Sequence, residues 1–262
     1  MKTKLYLDIA PQPDGVTCGP TCLQAIYRYF DDSISLRQII SEVPQIQGGG
    51  TLSIYLACHA LRRGYRATIF TYNLQIFDPT WANAPSSTIA QRLSEQVFCK
   101  KHIPGLEEAT GAFLEYLALG GRLRFEVLTA GLIRRYLKRA LPLLTGLSAT
   151  YLYNTAREYD DGTRMVYDDV RGEPAGHFVV LAGYNQADRT VLVADPFKPN
   201  PVAPSQLYHV NIFRLVCAIM LGTLTFDGDI LIIEPPAAAK RRPPTHHFKS
   251  LNSYSDSNNR YR

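Results

Sequence analysis

Along this 262-residue chain the apolar residues change spacing, from three and four apart to two apart and back, without settling into a repeat. A doubly wound or barrel fold would alternate strands and helices at a regular period. The irregular order points instead to an α+β architecture. Hydrophobic residues make up 46% of the chain, enough to bury the core of one domain, or of one domain with an elaboration.

Leu23, Ile26, Tyr27 and Phe30 recur at helical spacing, and Pro20 sits where a first turn tolerates it, which predicts a helix over about 19–30. A short helix should follow Ser35. The glycines Gly48, Gly49 and Gly50 form a loop that delivers Thr51 as N-cap to a third helix, 52–63, closed by Gly64. A strand is expected at 65–72. Residues 73–121 are mostly helical by pattern, around 88–101 and 107–119 with Pro104 and Gly105 between, and read as an inserted helical pair. A strand at 123–128, a helix capped by Thr129 and a strand at 142–149 follow.

The second half is more β-like. Asp161-Gly162 marks a hairpin turn inside the charge-dense stretch 151–176. The apolar runs 177–184 and 190–194 predict a second hairpin, whose first strand begins at His177 and whose second is stopped by Asp195-Pro196. A helix near 206–221 and a strand at 229–234 complete a folded part of 1–234. From Pro235 the periodicity is lost, and the Pro, Ser, Asn, Lys and Arg content of 235–262 reads as a disordered basic tail.

The formal net charge of +5 suggests nucleic acid until it is located. Lys240, Arg241, Arg242, Lys249, Arg260 and Arg262, against Asp256, place all of it in the tail and leave the rest with equal numbers of basic and acidic side chains. The folded part therefore lacks the basic footprint that phosphate-backbone binding needs. Five scattered cysteines are too few for a disulfide scaffold and fit a reducing compartment. Asp8 interrupts the only apolar run near the N-terminus, and the apolar stretch 212–226 contains Arg214 and is too short to span a bilayer. A cytoplasmic protein without a membrane span is expected.

The sharpest local signal is Gln12-Pro-Asp-Gly-Val-Thr-Cys18-Gly-Pro-Thr-Cys22. A thiol where a turn enters a helix meets the positive end of the helix dipole and unpaired backbone N–H groups, both of which favour the nucleophilic thiolate. Gly19 leaves room for a carbonyl to approach, the Cys18 N–H can donate to an oxyanion, and Gln12 can bring a side-chain amide to the same point. Turnover of an amide also needs an acid beside the sulfur to protonate the leaving amine. His246 and His247 lie in the tail and His102 in the helical pair, whereas His177 opens an apolar strand. Asp195 ends the adjoining strand, where a carboxylate can fix the tautomer and orientation of the ring.

TCGPTC with Gln12 upstream, a helix after GGGT, and then LPLL, GHFVVLAGY and VADPF together resemble the papain-like cysteine peptidases of the bacteriocin-processing, double-glycine leader-peptidase type. The resemblance covers roughly 8–71 and 129–198. It implies a nucleophile helix packed on an antiparallel sheet that carries the His and Asp, and a hydrolase acting on a peptide or amide. Gln12 would serve the oxyanion hole, with Cys18, His177 and Asp195 as triad. Transporter-fused members carry membrane and ATPase portions that this chain lacks, and residues 73–121 have no counterpart among the motifs.

Other readings of the same residues stand beside this one. Cys22 reads as core packing, and a Cys18–Cys22 redox pair or metal site lacks the spacing and further ligands of structural sites, so no cofactor or metal is expected. Gln12 is equally compatible with a solvated loop, His59 with a helix face, and Arg134, Arg135, Lys138 and Arg139 with a solvated basic strip. The same acyl-enzyme would serve acyl transfer, as in phytochelatin synthases, where an amine or thiol replaces water. A module that binds peptides without cleaving them would normally show a damaged triad, whereas every expected side chain is present here.

Overall fold

The computed structural model describes residues 2–46, 49–225 and 228–236. The chain opens with a short strand, β1 (Lys2–Lys4), and enters three helices, α1 (Cys18–Tyr29), α2 (Leu36–Glu42) and α3 (Ser53–Arg62). Strand β2 (Arg66–Thr71) precedes α4 (Ser86–Cys99), α5 (Leu106–Ala118) and a short β3 (Arg122–Arg124). Helix α6 (Ala130–Leu137), strand β4 (Leu143–Ser148) and helix α7 (Ala149–Tyr153) lead to a small hairpin, β5 (Glu158–Asp160) and β6 (Met165–Tyr167). The long strand β7 (Gly176–Asn185) is followed by β8 (Thr190–Ala194), β9 (Leu207–Asn211), α8 (Ile212–Leu221) and β10 (Asp229–Glu234).

This is an α+β fold built on one twisted sheet in the order β3-β2-β10-β4-β7-β8-β9, with β1 pairing to β7 beyond the end of β4. Among the described pairs of the sheet only β2 and β3 run parallel. Its central strands are apolar on both faces. Leu144, Val180, Ala182, Leu192 and Leu231 point into a core shared with α1, α3 and α5, while Leu143, Val179, Leu181, Val193 and Ile232 point into a second core with α6 and α8. Sheets covered on both sides require such continuous apolar runs, which is why 177–184 and 229–234 show no polar alternation. Gly183 sits where β1 crosses: a Cβ there would lie 2.8 Å from the Thr3 carbonyl.

Helix α1 is buried on nearly every side, between the sheet and α3. The helical segment 73–121 is built into the same core. Phe77, Leu93, Leu106, Phe113 and Tyr116 join the α1 cluster, and the buried Tyr116 hydroxyl accepts from Ile69 N and lies 3.0 and 2.8 Å from the Ala67 and Arg122 carbonyls. Helix α5 packs on α3 along the β2–β3 side of the sheet.

Several local expectations are met closely: a short helix, α2, follows Ser35, whose hydroxyl also caps it, Thr129 caps α6, and Asp161-Gly162 turns the β5–β6 hairpin. Others need correction. Thr51 does not cap α3; its hydroxyl donates to the Pro44 carbonyl, Leu52 takes the cap position without a side-chain bond, and Ser53 is engaged by Asp229. The expected helix 206–221 begins as strand β9, whose alternating exposure fits an edge strand, and Asn211 then caps a shorter α8. The strand at 123–128 shrinks to β3, and β1 and the short α7 were not anticipated. Residues 237–262, nearly all of the expected tail, and Gly48 of the glycine loop lie outside the described residues. Among the described residues no helix is long and apolar enough to cross a membrane.

Candidate active site

Cys18 is the first residue of α1. Asp14 Oδ1 accepts from the Val16 N–H at 2.9 Å and turns the chain toward the helix. Thr17, at the cap, makes no side-chain capping bond, and the first turn holds no acidic residue. The positive end of the helix is thus left uncompensated around the thiol. The space at Gly19 is occupied from the protein side, since a Cβ there would meet Thr51 Cγ2 at 2.6 Å and Phe178 at 3.3 Å. Gly19 therefore lets α1 seat against β7 and the start of α3, where the sequence suggested room for a substrate.

The sheet sets the second partner. His177 pairs with Leu147 of β4, but β8 joins β7 only from Val180↔Ala194 onward. At the next residue, Asp195, the chain turns away, and α1 comes in beside the uncovered end of β7. There the Cys22 thiol donates to the Phe178 carbonyl at 3.2 Å, while the Phe178 N–H serves Cys18. Cys18 and His177 act on one another through their charges and a side-chain contact, and His177 Nε2 donates to Asp195 Oδ1 at 2.8 Å. With Nε2 committed to the carboxylate, Nδ1 is the nitrogen left for the thiol. Cys18, His177 and Asp195 are all buried, Asp195 completely.

Charge follows from these contacts. Burial alone would raise the Cys18 thiol, but the His177 charge and hydrogen bond, helped by the N–H groups of Phe178 and Gly19, outweigh it and hold the thiol below its ordinary value. Burial works against the His177 cation too, yet Cys18 and Asp195 together push the imidazole up to about 10. Asp195 is held below the usual carboxylate range: its burial is overcome by His177, Tyr208 and the Phe197 N–H. Each of Cys18 and His177 thus favours the charged form of the other, a thiolate beside an imidazolium. Cys22, one turn along, behaves oppositely, its thiol pushed well up by burial and by Cys18 and Asp195.

Asp195 is supported by residues that sequence reasoning did not pick out. Phe197 N–H donates to Oδ1 at 2.9 Å; Tyr208, Tyr153 and Asn200 donate to Oδ2 at 2.6, 2.9 and 2.9 Å. Phe197 and Asn200 belong to the turn after Asp195, so a carboxylate followed by a tight loop was the available hint. Tyr153 and Tyr208 lie on α7 and β9, the two elements most weakly signalled in the sequence. Tyr153 and Phe197 also pack their rings around His177, each centroid 6.0 Å away, Phe197 edge-on.

Gln12 reaches the same neighbourhood. Its backbone N–H donates to the Pro196 carbonyl at 2.9 Å, which ties the loop before α1 to the loop after β8. Its side-chain Nε2 donates to the Asp14 carbonyl at 2.7 Å, and one N–H of that amide remains for another acceptor. Gln12 is half-buried in the loop before α1. His59 lies on a helix face, as expected, and that face is buried: it is bonded to Tyr27 Oη at 2.8 Å and Glu42 at 2.9 Å and braces α1, α2 and α3. In the basic strip, Arg135 pairs with Glu126 and Arg139 with Glu234. All five cysteines are free thiols, and among the described residues no group of three or more His, Cys, Asp or Glu is arranged to hold a metal ion.

No family model matches the chain, and no curated protein matches it. Solved structures with a similar arrangement include one described as a C39-like peptidase of Bacillus anthracis, at 12% identity over 89% of this chain and 97% of that one, TM-score 0.45. A double glycine motif protease from an AMS/PCAT transporter, in complex with the leader peptide, aligns at 11% identity over 89% and 94%, TM-score 0.42. Xylellain, a cysteine protease from Xylella fastidiosa, aligns at 14% identity over 89% and 85%, TM-score 0.40.

Proposed function

We propose that this chain is a papain-like cysteine peptidase or amidase in which Cys18 is the nucleophile, His177 its acid and base, Asp195 the residue that orients the imidazole, and Gln12 an oxyanion donor. The observation that carries the reading is the run of contacts from Cys18 through His177 to Asp195 at the uncapped start of α1. In such a site the thiolate attacks the carbonyl carbon of the scissile bond, and its oxygen becomes an oxyanion facing the Cys18 N–H and the free N–H of Gln12 Nε2. The imidazolium of His177 gives its proton to the leaving amine as the C–N bond breaks, leaving a thioester on Cys18. A water then attacks the thioester, His177 takes its proton, and the acid product departs as the ion pair re-forms.

Asp14 has a part in this reading through its carbonyl: by accepting one N–H of Gln12 it fixes which way the amide faces. The enclosure of His177 by Tyr153 and Phe197 keeps water from competing for the His177–Asp195 bond. The test is turnover of a peptide library by the wild type and by Cys18→Ala, alongside labelling with a peptide-like, thiol-directed electrophile. The reading expects cleavage that Cys18→Ala abolishes, and a label confined to the peptide bearing Cys18. Wild-type turnover in a folded Cys18→Ala variant would overturn it.

A further inference from the structure

Asp195 has no exposed surface, so every lone pair of its carboxylate must be met from within the protein. Only one contact, Oδ1 to His177 Nε2, belongs to the proposed chemistry. Three donors converge on the other oxygen, and they come from different parts of the chain: Tyr153 from the end of α7, Asn200 from the loop after β8, and Tyr208 from β9. Filling space beside a carboxylate would not need hydroxyls, because a phenylalanine ring would pack there equally well. Here both phenols direct their O–H to the same atom, at 2.6 and 2.9 Å, and burial together with Asp195 raises both so that they remain protonated donors.

We infer that Tyr153 and Tyr208, assisted by Asn200, are positioning residues that stop the Asp195 carboxylate from rotating and so keep Oδ1 in line with His177 Nε2. This rests on the Cys18–His177–Asp195 reading above. The geometry explains why three separate anchors are used. A carboxylate held through one oxygen can still swing about its Cβ–Cγ bond, whereas donors arriving from α7, β9 and the loop between β8 and β9 fix the plane of the group. Tyr153 adds a second constraint, since its ring lies against His177 and stacks on Phe197 at 18° between planes. Both members of the His177–Asp195 bond are thereby restrained by one side chain. Tyr153 is also the last residue of α7, immediately before Asn154 takes a left-handed conformation (φ 58°) and the charged segment leaves toward the β5–β6 hairpin.

The test uses Tyr208→Phe and Tyr153→Phe in the full chain, with folding checked by thermal melting. The first readout is solvent exchange of the His177 Nε2 proton, followed by NMR on the resting protein. The second is the split of peptide turnover into kcat and KM. Loss of one hydrogen bond to a charged group predicts exchange about tenfold faster, and kcat about tenfold lower with KM little changed, in each variant. Two folded single variants with wild-type proton exchange and wild-type kcat would overturn the inference and leave the tyrosines as packing. The proton-exchange readout needs no turnover, so failure of the clamp and failure of the active-site reading are separable: turnover persisting in Cys18→Ala would sink the latter and leave the former measurable.

Discussion

Removing His177 tests the electrostatics of the site most directly. In the wild type the charge and hydrogen bond of His177 hold the Cys18 thiol below its ordinary value of 9.0, although burial, the largest influence, acts the other way. In His177→Ala burial prevails, and the thiol should titrate at or above 9.0. At pH 7 a group titrating two units higher is about 1% ionised, so the variant should alkylate at about 10⁻² or less of its own alkaline plateau. Normalising to the plateau matters, because a thiolate of higher basicity is intrinsically more nucleophilic and would mask part of the loss. The assay is the rate of Cys18 alkylation by a small haloacetamide between pH 5 and 11. It is read by mass spectrometry of the peptide carrying Cys18, because Cys99 and Cys217 are exposed and react too. The wild-type midpoint should lie below 9.0 and the variant's at or above it. Superimposable profiles would refute the idea that His177 sets the charge of Cys18.

Asp195→Asn should fold but lose peptide turnover less completely than Cys18→Ala, because it weakens orientation of His177 and support of its charge without removing the proton donor; steady-state kinetics on both variants decide this. Gln12→Ala should lower kcat by about 10² to 10³ while haloacetamide alkylation of Cys18 stays near wild type, and a parallel fall in both would place Gln12 outside the oxyanion role. Asp229 offers a stability test away from the site. Burial pushes its carboxyl up to about 6 from 3.8, its Oδ2 accepts from Ser53 at 2.8 Å, and Oδ1 has no partner. A carboxyl raised in the folded state contributes most below its unfolded value and loses that contribution as pH rises through the folded one. Asp229→Asn should therefore gain on the wild type by about 2 kcal/mol between pH 4 and pH 7, measured by denaturant unfolding, and a pH-independent difference would count against the buried charge.

These predictions also separate roles that the fold keeps close together. Cys18 and Cys22 lie one turn apart on α1 and both address the backbone of Phe178, yet one is arranged to ionise and the other to stay a neutral donor. The difference comes from His177, which reaches only the first. In the same way, the helices of 73–121 contribute to the core that seats α1, so truncations there would act on the nucleophile through folding before they act on substrate choice.

The sequence alone was enough for those parts of the site that depend on short-range signals. Cys18 opens a helix because Pro20 and the apolar spacing behind it say so, and His177 and Asp195 share a hairpin because two apolar runs flank a polar turn. Strand β10, the helix after Ser35 and the cap at Thr129 were legible for the same reason: each is decided within a few residues. What the tertiary structure alone decided is which side chains meet across long separations. That β8 stops two residues short of covering Phe178 is a matter of register, and it makes room for α1 and for Cys22. Tyr153 and Tyr208 meet Asp195 from 42 and 13 residues away, from a helix of one turn and an edge strand whose local pattern competes poorly with the apolar helix after it. A hydrogen bond is short and directional, so its partner is fixed only when strand ends and helix positions are fixed, and sequence periodicity specifies faces rather than those positions.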